Sequence, residues 1–379
     1  MAYADRNIQL NFTAFADGGN GRCYASSNSL NGLFEVDMDS RKCKYLGRFP
    51  KELPLRRFLY TFALRYENRI VFVPNSADNI AVYDIESEEF LSLPIKIKTV
   101  SEKLIWHKFA CAVTYENFVY IVGNAYPYVL CLNMDTYEMK EIELDDQDVS
   151  FSRKGMVERG GSFLVPAYNV GKVLEFDMRK NQYKIHKLSK DFRGAVAMCA
   201  DESGTLWIAP YFTDDPILKW TPKQGVLKKI DSFPTEFSTE NHGLFSKAIY
   251  RDGEIWFIPE KANMSLRIDV LDGTVAENKF FPRLEKEKRI YCFEYKEKYY
   301  FEKRLLTQKP AWARINPYVE LDGNTWKQQE IFFSFSEGME RYLDDLSEYY
   351  EKTQNNVSFE TVAGIRLADY LEYHAEKWQ

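Results

Sequence analysis

This chain is short of the residues that announce a reactive centre, and each shortage excludes something. Only four histidines occur in 379 residues. Six cysteines (Cys23, Cys43, Cys111, Cys131, Cys199, Cys292) lie one to a segment, with neither a CxxC pair nor the close Cys and His spacing of a zinc site. They read as reduced, packed thiols, and the expectation is no metal and no cofactor. No run approaches the roughly 18 to 20 apolar residues that span a bilayer, and Met1 to Asn7 lacks a basic start followed by an apolar stretch. No membrane partner is expected, and the chain reads as cytoplasmic. A net charge of -6 and a pI near 5.6 give no general attraction to phosphate backbones, so no nucleic-acid partner is expected either.

What is present is repetition. Short strands such as Ile70-Val71-Phe72-Val73-Pro74 are followed by a polar loop and a strand ending like Val82-Tyr83-Asp84. The last residue of that second strand recurs as Asp37, Asp84, Asn133, Asp177, Thr221, Asp269 and Asn316, at spacings of 47, 49, 44, 44, 48 and 47. Such a period means stacked β-units around an axis. The second unit predicts four strands: A over Leu59 to Tyr66, B over Ile70 to Val73, C over Ile80 to Ile85 and D from Phe90 to Ile97. Glu67-Asn68, Asn75 to Asn79 and Glu86 to Glu89 supply the turns. The first unit reads Asn11 to Ala16, Arg22 to Ala25, Leu33 to Asp37 and Cys43 to Phe49. Proline recurs where strand B ends, at Pro74, Pro166, Pro210 and Pro259, which suits a residue without an N–H. Ala16, Ala63, Ala112, Gly155, Ala197, Ala248 and Cys292 fall where inner strands crowd an axis.

The seventh unit is the most irregular, with strands at Arg289 to Tyr295, Tyr299 to Phe301, Trp312 to Asn316 and a last one near Trp326 to Phe335. The fold class is therefore all-β: a seven-bladed β-propeller of four-stranded antiparallel blades over 1–335, with six blades as the alternative. From 336–379 the period becomes helical. Met339, Tyr342, Leu343, Leu346, Tyr349 and Tyr350 share one face, and Val362, Ile365, Ala368 and Leu371 another, giving a helical hairpin that packs on the blades or on a protein partner. The aspartate markers tempt one toward calcium, yet each precedes a turn that an Asx side chain caps unaided.

In such a ring the D-to-A and B-to-C loops emerge on one face and converge over the channel. Those loops carry Tyr126, Tyr168, Tyr211, Asp214 and Glu260, and just before the inner strands the cations Arg57, Lys108, Arg153, Arg193 and Arg289. Arg57, Arg193 and His242 each stand 17 residues before Pro74, Pro210 and Pro259. Together these residues form a candidate binding set for a polar, anionic small molecule, glycan or peptide. The competing expectation is that the cations pair with neighbouring Asp and Glu. His107 and His242 lie on the same rim and are the catalytic candidates should the chain be an enzyme.

Gly32-Leu33-Phe34-Glu35-Val36-Asp37 and Gly204-Thr205-Leu206-Trp207-Ile208-Ala209-Pro210 resemble the blades of bacterial β-propellers of the kelch and streptogramin-lyase-like type, over about residues 10 to 335. The paired glycines of kelch and the regular Trp-Asp of WD40 repeats are missing. The resemblance implies a propeller that is a binding module or an enzyme such as a lyase or cyclase. The lyase-like proteins use a metal with rim His and Glu residues, and no catalytic residue is carried over from them.

Overall fold

The computed structural model describes residues 7–8, 10, 12–54, 56–95, 107–124, 126–239, 242–281, 283, 288–295, 298–305, 318–320 and 333–352. Its contacts divide the chain into two compact units, 1–108 with 307–320 and 327–379, and 109–306 with 321–326. Both are built from the same antiparallel four-stranded meander.

In the first unit, sheet 1 contains strands Phe12–Gly19, Arg22–Ser27, Leu33–Asp37 and Lys42–Gly47, and sheet 2 contains Tyr60–Tyr66, Arg69–Pro74, Asn79–Asp84 and Phe90–Pro94. Tyr24, Phe49, Tyr60, Phe72 and Tyr83 fill the core these two sheets share. In the second unit, sheet 3 starts at Phe109–Tyr115, sheet 4 at Val157–Arg159, sheet 5 at Ala195–Ala200 and sheet 6 at Phe245–Arg251, each four-stranded. The hairpin of Lys288–Tyr295 and Lys298–Leu305 follows. One core joins sheets 3 and 4, and another joins sheets 5 and 6.

Local chemistry explains why the repeat survives sequence drift. Oδ1 of the marker residue accepts two backbone N–H groups in the C-to-D turn: Asp39 and Ser40 at Asp37, Glu86 and Ser87 at Asp84, Asp135 and Thr136 at Asn133, Arg179 and Lys180 at Asp177, Leu271 and Asp272 at Asp269. These are Asx turns, and the carboxylate oxygen is engaged by the chain itself. The prolines end strand B as Arg69–Pro74, Ser162–Pro166, Leu206–Pro210 and Glu254–Pro259. Opposite that end the inner strand carries a register shift in sheets 1, 2, 3, 5 and 6, a bulge the sequence does not disclose. Ala16, Ala63, Ala112, Ala197 and Ala248 are buried on the inner strands. Gly155 is needed for a different reason. A Cβ there would stand 2.9 Å from the backbone nitrogen of Met198, where the chain entering sheet 4 bridges the inner strand of sheet 5. In sheet 5, Asp201 holds its A-to-B turn by accepting from the backbone N–H groups of Ser203 and Thr205, and it receives the Trp207 indole N–H at 2.9 Å.

Two expectations are revised at the C-terminal end. The strand Phe333–Glu337, expected to close the seventh unit, pairs in parallel with the outer strand Lys42–Gly47 of sheet 1, and Asn7–Ile8 pairs antiparallel outside it. The boundary at residue 335 therefore cuts through a strand. Helix α1, Met339–Lys352, follows, and its buried Met339, Tyr342, Leu343 and Leu346 lie on one face. Tyr342 packs edge-on to Phe34 and Tyr45, while the Tyr45 hydroxyl donates to Asp345 at 2.7 Å. The second helix of the expected hairpin and the strand Trp312 to Asn316 lie outside the described residues. Five of the six cysteines are seen as buried free thiols, and the Cys292 side chain is not described.

Candidate functional site: an aromatic rim on sheets 4 to 6

The loop face is assembled by one recurring stitch. Within each unit, the residue entering an inner strand donates its N–H to the carbonyl just past strand B of the preceding sheet: Phe58 to Asn28, Phe151 to Asn124, Ala195 to Ala167 and Gly243 to Tyr211. D-to-A loops are thereby laid against B-to-C loops, and the rim residues of neighbouring sheets meet.

In the second unit this brings rings together. Tyr168 lies 5.5 Å from Tyr211, Tyr211 lies 5.2 Å from Phe212, and His242 lies 4.8 Å from Phe212 and 6.0 Å from Tyr211, measured between ring centroids. Tyr168, Tyr211 and Phe212 are half-buried and His242 is exposed. Gly243, at φ +82°, turns the chain tightly beside the Tyr211 ring, where a Cβ would sit 3.5 Å from it. The Arg193 guanidinium lies 4.6 Å from the Phe212 centroid, so the ring's outward surface is extended by a planar cation.

The charges here are matched. Asp215, only 5 % exposed, accepts from the Arg193 backbone N–H at 2.8 Å and from its Nε at 2.9 Å, with Nη2 also at 2.9 Å. Asp214 stands 3.7 Å from the same guanidinium. Lys261 donates to the His242 carbonyl at 2.6 Å. Lys154 pairs with the buried Glu260, reaching from the entry of sheet 4 to a loop of sheet 6. Arg193 is met by Asp214 and Asp215 and Lys154 by Glu260, so the distinguishing property of this rim is its cluster of partly exposed rings.

Other expected site residues lie elsewhere. Tyr126 is buried against Phe109 in the loop of sheet 3, and burial pushes its hydroxyl up to about 12. Arg153 is half-buried beside Lys154. Arg289 lies in strand Lys288–Tyr295 opposite Arg304, and its side chain is not described. Arg57 belongs to the first unit, where its carbonyl accepts from the Ser76 hydroxyl. Lys108 is buried, and its ammonium donates to the carbonyls of Ala77 and Ser76 and to Asp78. These contacts are of the kind that the competing expectation of internal pairing describes. His107 adopts φ +60°, and both its backbone N–H (3.1 Å) and its ring Nδ1 (3.0 Å) are held by Oδ1 of the buried Asn75. That acceptor requires the proton on Nδ1.

Phe212 and Asn75 stand in the B-to-C loops that sequence reasoning places on this face, although neither enters the candidate binding set. Two consecutive aromatics directly after Pro210, in a B-to-C loop, are the signal that selects Phe212. Among the described residues no cluster of metal-ligating side chains occurs, and no helix is long and apolar enough to cross a membrane.

Neither a protein-family model nor a curated protein matches the chain. Solved structures do match. A streptogramin B lyase superposes with a TM-score of 0.55 at 14% identity, covering 78% of this chain and 93% of its own. The fold is a β-propeller. Its sheets correspond to six or seven blades, although at such identities the likeness speaks for the fold alone. A catalytically inactive virginiamycin B lyase from Staphylococcus aureus with quinupristin gives 0.58 at 12% identity, covering 79% and 95%. YCF48 bound to D1 peptide gives 0.55 at 10% identity, covering 79% and 92%. Propellers so related in shape thus include an enzyme and a peptide binder.

Proposed function

We propose that this propeller is a binding module whose recognition surface is the rim of Tyr168, Tyr211, Phe212 and His242, and that its ligand is an exposed peptide segment of a protein partner. The carrying observation is the contiguous half-exposed aromatic surface on a rigid loop scaffold. Tyr and Phe rings supply large contact area for little loss of conformational freedom, and such residues dominate binding energy at protein interfaces. Engagement of the Arg193 fork by Asp215 favours a peptide over a small anion. The peptide-bound YCF48 structure is consistent with this use of the fold.

The test is a peptide-display screen against the intact chain and against Tyr211→Ala/Phe212→Ala, with inorganic phosphate and a glycan array as separate arms. Peptides selected by the native chain are expected to bind the double variant at least about tenfold more weakly, as loss of two aromatic anchors implies. Equal binding by the variant, or selection only of phosphate or glycans, overturns the reading.

A second reading, a propeller enzyme, is favoured at one place, His107. A fixed tautomer at a positive φ costs on the order of 1 kcal/mol and orients the imidazole for proton transfer. Quinupristin is the first substrate to try, followed by mass spectrometry. Turnover that disappears in His107→Ala and persists in His242→Ala supports this reading, and absence of turnover by the native chain removes that substrate.

A further inference from the structure

Sheet 1 shows that the outer edge of a blade in this molecule accepts a further strand. Phe333–Glu337 lies parallel to Lys42–Gly47, with Ser334 opposite Lys42, Phe335 opposite Cys43 and Glu337 opposite Lys44. The added strand has an alternating pattern: Phe333 and Phe335 are buried, while Ser336 and Glu337 are exposed. Its acid is matched by the strand it joins, since Glu337 stands 3.4 Å from the Lys44 ammonium.

The outer strand of sheet 5, Gly225–Ile230, repeats that seat. Lys44 pairs across the sheet with Glu35, two residues before the marker Asp37, and Lys228 pairs with Lys219, two before the marker Thr221. Lys44 reaches forward to the Glu88 carboxylate in the C-to-D turn of the next sheet, and Lys228 likewise reaches the Asp272 backbone carbonyl in the next one, both at 2.7 Å. The two lysines are the same structural device in two blades. In sheet 5, however, Gly225–Ile230 is the edge strand among the described residues. Beside it opens a cleft of about 410 Å³ lined in part by Lys228, Lys229, Ile230, Phe233, Pro234 and Val275.

We infer that the outer edge of Gly225–Ile230 is a docking site for an extended acidic peptide. The peptide adds in parallel as a fifth strand, sets alternate apolar side chains into the cleft, and brings a carboxylate to Lys228. Main-chain hydrogen bonds supply affinity in such strand addition, and alternate side chains supply specificity. Lys228 and Lys229 oppose pairing with neutral or basic strands, so the edge selects by charge. This site is separate from the aromatic rim, and its success or failure leaves the rim proposal untouched.

The probe is the synthetic peptide Ile-Phe-Phe-Ser-Phe-Ser-Glu-Gly, which copies residues 331–338, titrated into the full chain and followed by hydrogen–deuterium exchange. Slowed exchange over Gly225–Ile230 is expected. A peptide with Lys in place of Glu should bind about tenfold more weakly, a reversal from ion pairing to repulsion, and Lys228→Glu should restore it. Protection confined to Lys42–Gly47 would mean exchange with the chain's own strand. That result, absence of protection, or equal binding of the two peptides would overturn the inference.

Discussion

Two loop faces built on the same repeat differ in what they do with charge. In the first unit, Glu52 is fully buried and accepts from the backbone N–H groups of Asp78 and Asn79, from the Asn79 side chain and from Arg56. Asp78 in turn binds Arg56 and Lys108. In the second unit the corresponding loops turn rings outward at Tyr168, Tyr211, Phe212 and His242. Identical stitching thus supports a locked polar cluster in one place and an open apolar surface in the other. The lesson is that rim position alone does not mark a ligand contact. What separates the two faces is whether the side chain's capacity is already met within the fold.

This contrast can be broken most severely at Glu52. Glu52→Ala leaves several buried donors and a cation without their acceptor and should cost about 3 to 5 kcal/mol, read as a drop in the urea midpoint. A loss below about 1 kcal/mol would make the cluster incidental. Removing a single turn cap is milder. Asp84→Ala should cost about 1 kcal/mol by the same measurement, the worth of a typical hydrogen bond.

Acid sharpens the comparison further. Asp78 is held below the usual carboxylate range by the Arg56 hydrogen bond, and Asp84 is held below it by backbone N–H groups, Ser87 first. For Asp201, burial pushes upward, but its hydrogen bonds from Ser203, Trp207 and the turn outweigh it. A carboxylate depressed in the native state stabilises above its unfolded value, and that contribution is lost as pH falls through the native value. Tm should therefore hold from neutrality to about pH 5 and fall below about pH 4. Asp78→Asn should flatten that fall. The smallest effect belongs to the aromatic rim: Phe212→Ala should change stability by less than about 1 kcal/mol, since the ring is only half-buried, whereas the peptide binding tested above should weaken several-fold.

Much of the blade was readable because its chemistry is local. A marker Asp caps its own turn within three residues, a proline ends its own strand, and a small residue suits a crowded inner strand wherever it recurs. Pairings between loops were readable only as a class, in the expectation that rim cations meet neighbouring Asp and Glu, and not partner by partner. Nothing near Arg193 foretells that Asp215 will hold it by three contacts, nor that Glu260 will meet Lys154 across an intervening blade. The seat of Phe333–Glu337 was equally hidden, because Phe-Ser-Phe-Ser-Glu specifies an extended strand with one apolar face and says nothing of which edge it joins.

That seat has a consequence for the order of events during synthesis. Because Phe333–Glu337 lies between Asn7–Ile8 and Lys42–Gly47, the opening strand has no place to dock until the ribosome has made almost everything in between. The four-stranded meander of sheet 1 can form early, with its flank bare. The nascent chain must keep that flank from strangers until its own late segment arrives.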